Sequence, residues 1–163
     1  MKRVIVLGCP GAGKSTFSRR LTAKTGLPLY YLDMIWHRPD RSVIGADEFD
    51  RILNELLAKD EWIIDGNYAR TLPVRFAHCD TVFYFDLPTE LCVEGAKSRL
   101  GKKRDDMPWT EDELDPEFLH WILDFHRDVA PGIDRLLMDS DKTVIRFRSR
   151  EEADAFIESL PNQ

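Results

Sequence analysis

Three observations predict an α/β fold with a mostly parallel sheet. Short apolar runs alternate with stretches of helical periodicity from one end of the chain to the other. Three of the apolar runs stop at an aspartate, namely Asp33, Asp65 and Asp86. A glycine-rich turn joins the first apolar run directly to the first helical one.

Val4-Ile5-Val6-Leu7 is a β-branched run that ends at Gly8, as a strand buried on both faces should. Lys14 to Thr25 carries Phe17 and Leu21 four apart and stops at Gly26 with Pro28 beyond, which predicts a helix. Leu29-Tyr30-Tyr31-Leu32 reads as a second strand ending at Asp33, followed by an irregular stretch through Arg41 that contains Pro39. From Asp47, read as an N-cap, the residues Phe49, Ile52, Leu53, Leu56 and Leu57 mark one helix face, with Asp47/Arg51 and Glu55/Lys59 as i,i+4 pairs. Trp62-Ile63-Ile64 is a third strand before Asp65-Gly66, and Thr81-Val82-Phe83-Tyr84-Phe85 a fourth before Asp86.

Pro88 opens a helix through about Leu100, after which residues 101–115 lose periodicity around Gly101 and Pro108 and read as a loop or mobile flap. Asp115-Pro116 supplies a cap and a first-turn proline. Phe118, Trp121, Ile122, Phe125 and Val129 keep one face apolar until Pro131-Gly132, and Leu136-Leu137 continue a further helical piece. Thr143-Val144-Ile145 starts the fifth strand, and Ser149 with Glu152 forms a capping box for a last helix with Ala153, Phe156 and Leu160 on its face. With no internal repeat and no linker, the expectation is one domain over 1–163.

Charge and cysteine usage narrow the function classes. The 23 Lys and Arg against 29 Asp and Glu give a net charge of -6, which opposes general binding to a phosphate backbone. Cys9, Cys79 and Cys92 are widely spaced with no C-x-x-C pair, which points away from a disulfide framework or zinc knuckle and towards a reducing cytoplasm. His120 and His126 are six apart and point to different sides of a helix, so they read as structural rather than metal-ligating. The apolar run after Met1-Lys2-Arg3 is too short for a signal-peptide core, and none approaches the ~20 residues of a membrane helix.

Gly8-Cys9-Pro10-Gly11-Ala12-Gly13-Lys14-Ser15 matches G-x-x-x-x-G-K-[ST] and lies between a predicted strand and a predicted helix, the context its chemistry requires. Its glycines let backbone N–H groups turn inward around a polyphosphate, and the helix N-terminus adds partial positive charge. Lys14 would reach the β- and γ-phosphates of ATP, and the Ser15 hydroxyl would hold Mg²⁺. A guanine-specifying N-K-x-D is absent, which disfavours a GTPase, and the chain is too short for the accessory modules of most motor or transport ATPases.

The sequence resembles the adenylate-kinase-like small P-loop kinases and, within them, the DNA topology modulation proteins. The likeness runs through Gly8 to Thr16, Leu32-Asp33-Met34-Ile35-Trp36-His37-Arg38-Pro39 and Trp62 to Thr71. It continues through Gly101-Lys102-Lys103-Arg104 and Asp106-Met107-Pro108-Trp109. Asp65-Gly66 to Arg70-Thr71 looks like the D-G-F-P-R-T segment of adenylate kinases, with one residue more and no proline. The resemblance implies a nucleoside-monophosphate-kinase type of three-layer α/β/α fold, a five-stranded parallel sheet, a phosphate donor at the P-loop and a mobile lid. It also implies, by analogy, that Arg148 after the fifth strand lies beside the adenine.

Asp33 and Asp65 fall where a parallel sheet places ligands, outside the carboxyl ends of its strands. Asp65 would orient a Mg²⁺-bound water, and Asp33 would contact the metal's water or take a proton from an acceptor hydroxyl; the alternative for each is a cap on the following turn. Asp86, with Pro88 behind it, reads as such a cap. Arg70 offers a planar bidentate donor for an acceptor phosphate or the transferring group. Arg99, Lys102, Lys103 and Arg104 put four cations in six residues, and Asp105 to Glu117 then carries seven acids and no base. A cationic flap of this kind would close over the triphosphate and exclude water; the alternative is a solvated basic helix end. Arg127 is placed either towards the same site or on a helix surface.

The acceptor is left open between two chemistries. Arg38, Arg41, Arg70 and Arg75 suit an anionic phosphate acceptor, and Asp33 suits a hydroxyl; Trp36, Tyr30 and Tyr31 would stack on a base or belong to the core. The expectation is therefore a cytoplasmic kinase that uses ATP and Mg²⁺ on a nucleotide or other small-molecule acceptor. Neither nucleic acid nor membrane is an expected partner, and the expected assembly is a monomer or homodimer. The alternatives are a nucleotide-responsive regulator acting indirectly on DNA topology and a simple ATPase.

Overall fold

The computed structural model describes residues 1–161. Five strands, β1 (Arg3–Gly8), β2 (Leu29–Tyr31), β3 (Trp62–Asp65), β4 (Thr81–Phe85) and β5 (Thr143–Phe147), form one sheet in the order β2-β3-β1-β4-β5. All four pairings are parallel. Consecutive residues of β1, β3 and β4 are buried, so both faces of the sheet are covered there, whereas the short β2 and the outer β5 are only half-buried edges.

The helices are α1 (Lys14–Thr25), α2 (Leu32–Trp36), α3 (Ala46–Leu57), α4 (Leu72–His78), α5 (Thr89–Ser98), α6 (Pro116–Asp128), α7 (Ala130–Leu137) and α8 (Arg150–Ser159). On one face Phe17 of α1 meets Phe83, Phe85 and Phe147 edge-on at 4.8, 5.3 and 5.3 Å, and Phe156 of α8 packs on Phe83 at 5.0 Å. Phe83 and Phe85 are two apart on one strand, so they share a face and form an aromatic core under α1 and α8. No described helix is long and apolar enough to cross a membrane.

The order of the strands builds the site. β1 leaves through α1 towards β2 on one side, while its neighbour β4 leaves towards β5 on the other, so a crevice opens at the carboxyl end of β1. Because β2, β3 and β1 are neighbours, Asp33, Asp65 and Gly8 come side by side at that edge, with Asp65 level with both Tyr31 and Val6.

Local departures from the expected elements have simple causes. Leu32 is fully buried at the start of α2 instead of ending the second strand, and a five-residue helix is too short to show a 3.6-residue period. α4, with a 3-10 turn over Ala69–Thr71 before it, follows β3 where no helix was predicted. Gly45, with φ +88°, stands at the N-cap of α3, and Asp47 sits in the first turn. α5 ends at Ser98, short of the expected Leu100. Asp115 caps α6 by accepting from the Glu117 N–H at 2.7 Å. Ser149 caps α8 through the Glu152 N–H at 3.2 Å, while the Glu152 carboxylate accepts from the Arg148 N–H rather than closing on Ser149.

Candidate active site

The loop between β1 and α1 is shaped by its neighbours as much as by its own glycines. Gly8 has φ +142° and lies level with Phe85 of β4, where an added Cβ would sit 2.5 Å from the Phe85 carbonyl oxygen. Gly11, at φ +82°, presses against α5 so closely that a Cβ would overlap the Cys92 carbonyl. Two side chains fasten the loop. The Asn67 amide accepts from the Gly8 N–H at 3.0 Å and donates to the Gly8 carbonyl at 2.8 Å. Arg150 Nη2 donates to the carbonyls of Gly11 and Leu91, both at 2.9 Å, tying the loop to α5 and α8. Pro10 and Ala12 are buried in the loop, Thr16 stands exposed on the first turn of α1, and Lys14 Nζ folds back onto the Cys9 carbonyl at 3.1 Å.

Two carboxylates bond to serines near the start of α1, and a third, Asp33, lies close enough for its charge to act on Asp65 and Arg99. Ser15 Oγ donates to Asp106 Oδ2 at 2.8 Å, and Asp106, only 6% exposed, lies 3.5 Å from Arg104 Nε. Ser18 Oγ donates to Asp65 Oδ2 at 2.9 Å. Burial pushes the Asp65 carboxyl up to about 6, against the pull of the Lys14 charge and the Ser18 hydrogen bond; Asp106 and Asp33 add to the upward push. Tyr68 donates its hydroxyl to Asp33 Oδ1 at 2.6 Å, and burial together with the Asp33 charge raises the phenol's pKa.

Beside the loop opens a cavity of about 660 Å³ whose wall includes Lys14, Ser15, Thr16, Arg99, Lys103 and Arg104. Arg99 Nε and Arg104 Nη1 are buried without a hydrogen-bond partner among the described residues. Burial, then the neighbouring Arg104 charge, works against the Arg99 guanidinium, which is the state an anion in the cavity would relieve.

The structure does not bring every predicted residue here. Arg70 is exposed and makes a bidentate pair with Asp50 of α3 at 2.9 and 2.7 Å, away from the loop. Arg148 is exposed and lines no part of the cavity, whereas Arg150, two residues on, does. Arg127 is spent on Asp124 and Asp128. Asp86 is not a cap: it pairs with Arg146 at 3.0 Å and lies 3.3 Å from His126 Nε2. Arg75 is fully buried, its guanidinium donating to the carbonyls of Gly66, Asn67 and Tyr68. Arg38 lies beside Glu48 at 3.6 Å, and Arg41 lies over the Trp109 ring at 5.6 Å. Tyr30 takes Lys59, and Trp36 packs between Phe49 and Tyr68.

Asn67, Tyr68, Asp106 and Arg150 were missed as site residues. Asn67 and Tyr68 follow the strand-end Asp65-Gly66, the position from which a side chain reaches the neighbouring strand's loop. Asp106 is the first buried acid after the cation run. Arg150 carries no signal beyond its place at the start of the last helix.

No protein-family model matches this chain, and no curated protein matches it by sequence. Solved structures do. A shikimate kinase from Bacteroides thetaiotaomicron superposes with a TM-score of 0.64 at 14% identity over 98% of this chain and 95% of that one. A shikimate kinase from Acinetobacter baumannii in complex with shikimate gives 0.58 at 18% over 97% and 92%. A sugar kinase from Janibacter sp. HTCC2649 gives 0.52 at 20% over 97% and 91%. At these identities the likeness is one of fold: the chain shares the α/β architecture of these kinases.

Proposed function

We propose that this protein is an ATP- and Mg²⁺-dependent phosphotransferase that moves the γ-phosphoryl group to a hydroxyl of a small-molecule acceptor. The observation that carries the reading is one cavity lined both by the glycine-rich loop with Lys14 and Ser15 and by Arg99 and Arg104, whose Nε and Nη1 are buried without a hydrogen-bond partner among the described residues. A polyphosphate supplies the acceptor oxygens those buried donors lack. The kinases that share the fold support the same class of reaction.

The residues divide the work. Backbone N–H groups from Gly8 to Ser15 and the α1 N-terminus hold the phosphates. Lys14, whose Nζ hydrogen-bonds a loop carbonyl, turns to the β- and γ-oxygens. Arg99, Lys103 and Arg104, on a lid spanning about 101–115 and the helix end before it, neutralise charge and exclude water when closed. Ser15 and Asp65 would offer the hard oxygen donors that Mg²⁺ prefers, and the metal would supply charge neutralisation for the phosphates. Asp33 accepts the acceptor's proton as its oxygen bonds to the γ-phosphorus and the bond to ADP breaks.

A hydroxyl acceptor fits better than a phosphate because the arginines that would bind a phosphate have other contacts: Arg70 with Asp50, Arg75 with three carbonyls, Arg38 with Glu48, and Arg41 over the Trp109 ring. Asp33 stands at the carboxyl end of β2 with one oxygen held by Tyr68 and the other without a hydrogen-bond partner among the described residues. The resemblance of the 62–71 and 101–109 segments to adenylate-kinase-like proteins supports the nucleotide and lid assignments. The test is a screen for acceptor-dependent ADP production across hydroxylated metabolites and nucleoside monophosphates. ADP formed only with a hydroxylated acceptor supports the reading; ADP formed at the same rate without any acceptor marks a simple ATPase and contradicts it.

A further inference from the structure

We infer that Asp106 of the lid is the positioning residue for Ser15, orienting the serine oxygen towards the metal that accompanies the nucleotide. This rests on the phosphotransferase reading above. A hydroxyl has one proton to donate and two lone pairs to offer. In this fold the Ser15 proton is committed to Asp106 Oδ2 at 2.8 Å, which fixes the rotor and leaves the lone pairs of Oγ free for a cation. The carboxylate at the end of β3 does not serve Ser15: Asp65 Oδ2 is taken by Ser18, one turn further along α1. A carboxylate that would ordinarily come from the sheet therefore comes from the lid.

Asp106 is itself built in rather than draped over the surface. It is buried, and Arg104 stands on it with Nε at 3.5 Å while keeping Nη1 buried and unpartnered. Two residues apart on one segment, Arg104 and Asp106 arrive together. Lid closure thus delivers a donor for a phosphate oxygen and an acceptor for the Ser15 proton in one movement. The consequence is that metal affinity at Ser15 depends on lid position.

The experiment titrates a non-hydrolysable ATP analogue into the full chain by calorimetry at a series of Mg²⁺ concentrations, giving the Mg²⁺ midpoint for tightening of the analogue. In Asp106→Ala, which removes the acceptor oxygen, the midpoint rises about tenfold, about 1.4 kcal/mol, while affinity for the metal-free analogue stays within about twofold. Asp106→Asn, whose amide oxygen still accepts the Ser15 proton, recovers part of the shift. In a Ser15→Ala background Asp106→Ala adds nothing, because the two residues act as one unit. An unmoved midpoint in folded Asp106→Ala, or a shift that persists in the Ser15→Ala background, overturns the inference. If Asp106→Ala does not fold, Asp106→Glu decides alone: its longer side chain displaces the acceptor oxygen, so its midpoint must also rise, and an unmoved one overturns the inference. A wild-type chain that binds no analogue would instead overturn the phosphotransferase reading beneath it.

Discussion

Asn67 holds Gly8 by both of its backbone groups, accepting from the N–H at 3.0 Å and donating to the carbonyl at 2.8 Å. The first glycine of the phosphate loop is thus closed off from water by a side chain 59 residues away in sequence. Asn67→Ala leaves a buried donor and a buried acceptor without partners, and should cost about 2–4 kcal/mol. Urea unfolding measures it; a loss below about 0.5 kcal/mol would show that the clasp is replaceable by water.

Among the described residues Lys14 makes one hydrogen bond, to a loop carbonyl, and no ion pair, and its charge eases the buried Asp65 carboxylate. Lys14→Ala should therefore lower the melting temperature only slightly while acceptor-dependent ADP production falls at least about a hundredfold. Retained activity in a coupled ADP assay would remove Lys14 from the reaction.

Asp33→Asn preserves the Tyr68 contact but cannot take a proton. The expected loss in kcat is about 10²–10⁴-fold with nucleotide affinity unchanged. Equal turnover would point to an acceptor that needs no base, such as a phosphate.

Asp65 gives a pH signature. Its carboxyl is raised to about 6 in the fold from 3.8, so the folded state binds the proton more tightly than the unfolded chain. That contribution to stability is fully present below about 3.8 and is lost as pH rises through about 6. Between pH 5 and 7.5 the wild type should lose about 1 kcal/mol from this group, and Asp65→Asn should lack that component. Parallel pH dependence in the two proteins, measured by urea unfolding, would contradict the burial-driven shift.

The parts of the site that were legible in the sequence are those fixed by local chemistry. The phosphate loop declares itself in eight consecutive residues, and the strands before it and at 62–64 and 81–85 are apolar because both their faces are buried. Asp33 and Asp65 were placed by strand ends alone. The parts that were not legible depend on long-range partners. Arg70 looks like a phosphate ligand until Asp50, twenty residues earlier, is seen beside it. Arg75 reads as one of the arginines suited to a phosphate acceptor, yet it is fully buried because three consecutive carbonyls of the turn after β3 need donors. Arg150 could not be chosen over Arg148, since a shift of two residues at a helix start decides which side chain meets Gly11.

The most direct measurement is calorimetric titration of ATP with Mg²⁺ into the folded protein. The account predicts saturable one-to-one binding with a Kd between about 1 µM and 1 mM, weakened when Lys14 or Arg104 is replaced by alanine. Absence of any heat of binding, from material whose circular dichroism shows the α/β fold intact, would contradict it.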